Sequence, residues 1–141
     1  MRLTTQTDYA LRTLMFLAAK DRRATVGEVA ALFGISANHV AKVVNQLARL
    51  GYVRSIRGIG GGLELARSPE AIRIGDVIEA FEGSMHLLDC IGTENVCAIQ
   101  SFCELKGILG EAERRQLNYL NSKTLRDVVP TNRQLARVAR A

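Results

Sequence analysis

Apolar residues recur every three to four positions through the first fifty residues, and that recurrence predicts three helices. Over residues 5–19 the apolar positions are Ala10, Leu11, Leu14, Phe16, Leu17 and Ala18, with Thr4 or Thr5 placed to cap the start. Thr25 and Glu28 have the spacing of a capping box, so a second helix is expected through Glu28–Phe33, broken by Gly34. Ser36 suits the N-cap of a third helix, Ala37–Leu50, and Gly51 suits its termination. On the third helix Val40, Val43, Val44 and Leu47 share one face, and Asn38, Lys42, Asn45, Gln46 and Arg49 share the other.

After Gly51 the periodicity changes. Tyr52–Ile56 and Leu63–Leu65 are short β-like runs around Arg57-Gly58-Ile59-Gly60-Gly61-Gly62, which predicts a hairpin with a glycine-rich tip. Pro69 interrupts the chain, and Ile74–Phe81 has the pattern of a short helix ended by Gly83. Residues 84–103 show little periodicity. From Phe102 to about Asp127 a long helix is expected, with Leu105, Leu109, Ala112, Leu117 and Leu120 as its apolar stripe and Pro130 as its stop. The remaining TNRQLARVARA is expected to be a frayed, disordered basic tail.

Two helices joined at Gly34 and followed by a hairpin describe a winged helix-turn-helix. The fold class expected is mainly α with a small β-hairpin wing. Ala30 is small where two helices must cross closely, and Val29, Phe33, Ile35, Val40 and Val43 are apolar where the pair meets the core. The second helix of such a pair enters the major groove of double-stranded DNA. Its outward residues here are Ser36, Asn38, His39, Lys42, Asn45 and Arg49, able to bond base edges or phosphates. In the wing, Arg54 and Arg57 beside glycines including Gly60 and Gly61 suit close approach to a minor groove. The glycine run lacks the strand–loop–helix context and the lysine of a nucleotide-binding loop. His39 has no nucleophile beside it in sequence and reads as a surface residue, not a catalytic one.

Charge sharpens this division. Residues 1–67 carry 10 basic and 4 acidic side chains, residues 68–129 carry 6 and 10, and the last twelve residues add three arginines without an acid. A basic first half joined to an acidic second half suggests a polyanion-binding module followed by something else. Hydrophobic residues make up 48% of the 141, enough for a real core. No run of about 18 apolar residues occurs, and Asp8 and Arg12 interrupt the N-terminal segment, so neither a membrane span nor a signal peptide is expected and a cytoplasmic location is.

Cys90, Cys97 and Cys103 lie within fourteen positions on a polar stretch containing Gly92, Thr93, Glu94 and Asn95. An odd count in a cytosolic chain argues against a disulfide framework. Soft thiolates gathered on one loop select zinc, copper(I) or an iron–sulfur cluster. The spacing lacks the C-x2-C knuckles of structural zinc sites and the C-x-x-C of a thiol oxidoreductase. With only two histidines and no readable nucleophile–base pair, an enzyme is the weaker reading. Three thiolates can wrap one face of a cluster whose fourth ligand comes from elsewhere, and His86, Asp89, Glu94 and Glu104 are candidates.

The opening MRLTTQTDYALRTLMFLA, the block GISANHVAKVVNQLARLGYVRSIRGIGGGLELAR, the IRIGDVIEAFEG helix and the three cysteines together resemble the winged-helix iron–sulfur regulators, a family with IscR-type and NsrR-type members. The resemblance covers nearly everything before Pro130 and is stronger to the NsrR type, the nitric-oxide-sensing repressors. IscR-type members carry a histidine ligand three residues after the last cysteine, where this chain has Lys106. NsrR-type members supply an aspartate from the first helix of the partner subunit, and Asp8 stands at the matching position. Without the resemblance Asp8 reads as an acid favoured in the first turn of a helix. The resemblance therefore implies a homodimer, a near-palindromic operator and a metal site of Cys90, Cys97, Cys103 and Asp8. It implies a 4Fe–4S cluster, with 2Fe–2S as the alternative, and nitric oxide as the signal. Regulation of cluster assembly or of redox state is the rival within the same fold. The organisation expected is a DNA-binding domain over 1–83, a cysteine loop over 84–103, a dimerisation helix over 104–129 and the tail over 130–141.

Overall fold

Thr4 starts the first helix, α1 (Thr5–Ala19), by accepting the Thr7 N–H on its hydroxyl; Thr5 is the first helical residue. The computed structural model describes residues 2–20 and 22–140. Helix α1 buries Ala10, Leu14, Phe16 and Leu17, each fully buried leucine contributing roughly 1.5–3 kcal/mol. Its two buried hydroxyls are partnered: Thr13 donates to the Tyr9 carbonyl at 2.7 Å and Thr7 donates to Glu82.

The capping box expected of Thr25 and Glu28 is present, with Thr25 as the N-cap of α2 (Val26–Phe33). Gly34 ends α2 in the left-handed conformation at φ 63°, where a side chain would be strained. The Ala30 carbonyl then accepts the N–H groups of both Gly34 and Ile35, which sets the angle into α3 (Ala37–Arg49), capped by Ser36. Val40, Val43, Val44 and Leu47 are buried against α1, as the apolar face requires.

Strands β1 (Val53–Ile56) and β2 (Gly62–Leu65) pair antiparallel in the register Val53–Leu65 and Ile56–Gly62. The hairpin does not stand alone. Ala24 bridges Leu63 through bonds of 3.1 and 2.7 Å, so the segment before α2 is pinned to the edge of the hairpin at one residue. Arg67 donates to the Leu50 and Gly51 carbonyls and lies 4.6 Å over the Tyr52 ring, fixing the far end of the wing to the end of α3.

Two expectations for the second half need correction. After α4 (Ile74–Glu82) and the single turn α5 (Asp89–Gly92), the long helix α6 runs over Glu104–Asn121 and not to Asp127. The chain leaves it because it is captured by the core. Ile74 donates to the Lys123 carbonyl, Leu125 donates to the Ile72 carbonyl, and Arg73 and Thr124 form a bridge. Residues 125–128 then make a 3-10 turn that buries Leu125 completely. The tail is also ordered. Residues 132–140 form a helix, α7 (Asn132–Arg140), whose Leu135 is buried in the same core as α1 and α3. Thr131 and Gln134 cap it reciprocally, the Thr131 hydroxyl accepting from the Gln134 N–H and the Gln134 amide oxygen accepting from the Thr131 N–H.

The stripe expected on α6 divides in two. Leu109, Leu117 and Leu120 are half-buried against the rest of the chain, whereas Leu105 and Ala112 face outward. They share that outward face with Ile108 and Tyr119, both 65% exposed. No residue of α6 is fully buried.

Candidate nucleic-acid interface and thiol loop

Every polar residue expected on the reading face is at the surface. Ser36 uses its hydroxyl to cap α3 by accepting the His39 N–H at 3.2 Å. Asn38, His39, Lys42, Asn45 and Arg49 are exposed along one side of the helix. Two shallow hollows continue that side onto α1. One, of about 280 Å³, is lined by Gln6, Lys42, Val43, Asn45, Gln46 and Arg49. Its neighbour, of about 140 Å³, is lined by Thr5, Gln6, Tyr9, His39, Lys42 and Val43. The Tyr9 and His39 rings lie 6.3 Å apart. Gln6 and Tyr9 were not expected at this surface. Their signal is a polar pair one turn apart, before the buried stripe of α1 begins.

The wing is held by charge as well as by its strands. Arg54 and Glu64 are directly opposed across the hairpin and pair at 2.6 Å. The other oxygen of Glu64 accepts from Arg23 at 3.0 Å. Those two guanidinium groups, Arg23 first, hold the Glu64 carboxyl below the usual carboxylate range. Arg57 is exposed and forms no ion pair with the described residues. Gly61 donates its N–H to the Gly58 carbonyl at 3.0 Å, and a Cβ at Gly61 would stand 2.8 Å from that oxygen. The tip therefore turns too tightly for a side chain at Gly61, and Gly60 presents its carbonyl to Arg23.

The three cysteines are free thiols on the segment between α4 and α6. Cys90 lies in α5, Cys97 is exposed, and Cys103 precedes the first residue of α6. One side chain organises the loop between them. Gln100 donates to the Cys90 carbonyl at 2.9 Å and the Thr93 carbonyl at 2.6 Å, and accepts the Val96 N–H at 3.1 Å. Its own N–H donates to the Cys97 carbonyl. Nothing in the sequence pattern marked Gln100. His86 and Glu113 fasten the approach to the loop, with Nδ1 of His86 3.0 Å from Glu113 and the Leu87 N–H also donating to that carboxylate. Burial works against the charge on Glu113, yet the His86 and Leu87 bonds keep its carboxyl below the usual range.

Three thiols on one loop are the donor chemistry an iron–sulfur cluster requires. The structure keeps them on one loop without drawing them into one ligand set: among the described residues no three His, Cys, Asp or Glu side chains are grouped to hold a metal ion. Asp8 is not part of the thiol loop. Its carboxylate accepts from Arg12 at 2.9 Å, one turn along α1, and it does not cap the helix. No described helix is long and apolar enough to cross a membrane.

Residues 3–131 match the Rrf2 family, described as "Iron-dependent Transcriptional regulator". The chain is 41% identical over 138 residues to the "HTH-type transcriptional regulator NsrR" of Halalkalibacterium halodurans, covering 96% of this chain and 94% of that one. Among solved structures it is similar to CymR, the global cysteine regulator of B. subtilis, at a TM-score of 0.72 and 27% identity over 92% of this chain and 96% of that one. The IscR of T. potens gives a TM-score of 0.72 at 26% identity over 90% of this chain and 85% of that one. Matched along nearly its whole length, the chain belongs to the Rrf2 family and is a DNA-binding transcriptional regulator.

Proposed function

We propose that the protein is a cytoplasmic homodimeric repressor that releases DNA in response to nitric oxide, through an iron–sulfur cluster held by Cys90, Cys97 and Cys103 of one subunit and Asp8 of the other. The observation that carries this reading is the position of the three free thiols: all lie on the one segment that joins the DNA-binding core to α6 without entering that core. The resemblance to NsrR-type regulators supports it further. A 4Fe–4S cluster is the form proposed.

The residues of the chain then have distinct tasks. Ser36, Asn38, His39, Lys42, Asn45 and Arg49 face the major groove; Arg57 with the backbone at Gly60 and Gly61 approaches the minor groove, and Arg54 flanks them. Leu105, Ile108, Ala112 and Tyr119 of α6 meet the same face of a second copy, because an exposed apolar stripe on an 18-residue helix needs a partner. Twofold symmetry sets the two reading helices about one DNA turn apart, which suits a near-palindromic operator. Bound to the three thiolates, the cluster supplies iron that reacts with nitric oxide. Arg12 holds only Oδ1 of Asp8, so the carboxylate keeps Oδ2 for a ligand role, which would tie the thiol loop of one subunit to α1 of the other, the helix on which α3 packs.

Protein purified without oxygen is expected to be brown and to contain iron and sulfide. Titration with nitric oxide, oxygen and peroxide is expected to weaken operator binding with nitric oxide first. Colourless protein with one zinc per chain overturns the reading, and release by oxygen or peroxide alone assigns the protein to general redox regulation. Cys97→Ser is expected to abolish both cluster and operator binding. Asp8→Ala is expected to alter the absorption spectrum or the nitric oxide response. Lys42→Ala is expected to weaken binding and to lower the salt slope by about one.

A further inference from the structure

The α1–α2 connection lies against the wing, and one of its side chains reaches two separate parts of the hairpin. Arg23 Nε donates to Glu64 on β2 at 3.0 Å, and Nη1 donates to the Gly60 carbonyl at the tip at 2.9 Å. The backbone beside it is fixed twice. Ala24 bridges Leu63, and Arg22 donates to the Arg23 carbonyl at 2.9 Å while pairing with Glu28 at 2.6 Å. Glu28 is itself half of the capping box that starts α2. Gly62, at φ 137°, admits this packing, since a Cβ there would stand 2.9 Å from the Ala24 carbonyl and 3.2 Å from Arg23 Cβ. A continuous run of bonds thus joins the first turn of the helix-turn-helix to the tip of the wing.

We infer that Arg23 is a positioning residue for DNA binding: it sets the height and angle of the wing tip relative to α3 and is not itself a phosphate ligand. A four-residue hairpin pair with a glycine-rich tip has little intrinsic rigidity. Arg23 supplies it from outside, with the planar fork of a guanidinium that reaches a carboxylate and a carbonyl at once. Glu64, shared between Arg23 and Arg54, keeps Arg54 aligned along the strand and leaves Arg57 beyond the clamp. The inference rests on the wing touching DNA, as proposed above.

The test uses the full-length protein and a duplex selected from random sequence by the wild type. In the free protein, hydrogen exchange at the Gly61 amide is expected to speed up in Arg23→Ala, and operator affinity to fall about five- to tenfold with an unchanged salt slope. Arg23→Lys is expected to recover only part of the affinity, because an ammonium cannot hold both partners in the same plane. Arg57→Ala and Arg23→Ala are expected to combine less than additively, since one acts through the element that carries the other. Unchanged exchange at Gly61 overturns the clamp. A salt slope lowered by about one, or full recovery by lysine, makes Arg23 a phosphate contact and also overturns it. Faster exchange with unchanged affinity overturns its role in binding; if Arg57→Ala is then silent too, the wing reading fails with it, and if Arg57→Ala weakens binding the wing reading stands alone.

Discussion

Two helices of similar length are treated very differently by this fold. Helix α1, with 15 residues, buries six of them; α6, with 18, buries none. The first sits among α3, α4 and the wing and needs nothing from outside. The second is fastened at its ends and along one half-buried side, with Leu105, Ile108 and Tyr119 facing away from the chain. The thiol loop in front of it is held by the side-chain bonds of Gln100, His86 and Glu113 more than by packing. A well-filled core resists change, and a segment joined by a few exposed hydrogen bonds yields to whatever binds it. A reader of DNA benefits from the first property, and the sensing role proposed for the thiol loop from the second.

Four substitutions test that contrast, with effects on unfolding free energy that fall from one to the next. Leu125→Ala removes a side chain with no exposure, and a loss of about 2–5 kcal/mol is expected in urea or thermal unfolding. The unfolding of α1 and α6 should remain a single transition, because Leu125 belongs to the core that α1 builds. Thr25→Ala removes the cap of α2 and is expected to cost about 1 kcal/mol, with the loss confined to the reading half as judged by amide exchange.

Glu82→Gln is expected to have a smaller effect that depends on pH. The Thr7 hydroxyl, with the N–H and hydroxyl of Thr4, holds the Glu82 carboxyl below its ordinary value of 4.5. A carboxyl lowered by folding contributes stability in full above the unfolded pKa and loses it as pH falls through the folded one. The wild-type advantage over Glu82→Gln should therefore be complete at neutral pH and shrink below about pH 4.5 in unfolding curves taken across the acid range. Smallest of all, Ile108→Glu is expected to change monomer stability by no more than about 0.5 kcal/mol, since the side chain is exposed. Its effect should appear instead in sedimentation, as loss of the proposed dimer. A large loss of monomer stability would show that this face is covered within the chain and would remove the contrast.

The elements of the reading half were legible because their signals are local. The capping box at Thr25 and Glu28, the N-cap at Ser36 and the glycine at position 34 act within one turn of the residues they organise. The end of α6 was not legible, because the bond from Ile74 to the Lys123 carbonyl joins residues almost fifty positions apart. Helix α7 has a local signal, the capping box Thr131-x-x-Gln134, masked by three arginines that read as a solvated tail. At the site, the exposed face of α3 and the free thiols followed from the sequence pattern. Gln6, Arg23 and Gln100 did not, since a polar residue becomes notable only once the fold shows what it reaches.

The bridge between Arg73 and Thr124 also bears on how a signal would be delivered. Residues 84–123 leave the core at the end of α4 and re-enter it beside the start of the same helix, so both attachment points flank one rod of nine residues, about 13 Å long. Helix α6 also packs along α4 between those points, and Glu82 at the end of α4 is bonded to the first turn of α1. A chain cut after residue 83 would forfeit Leu125 and Leu135 from its own interior.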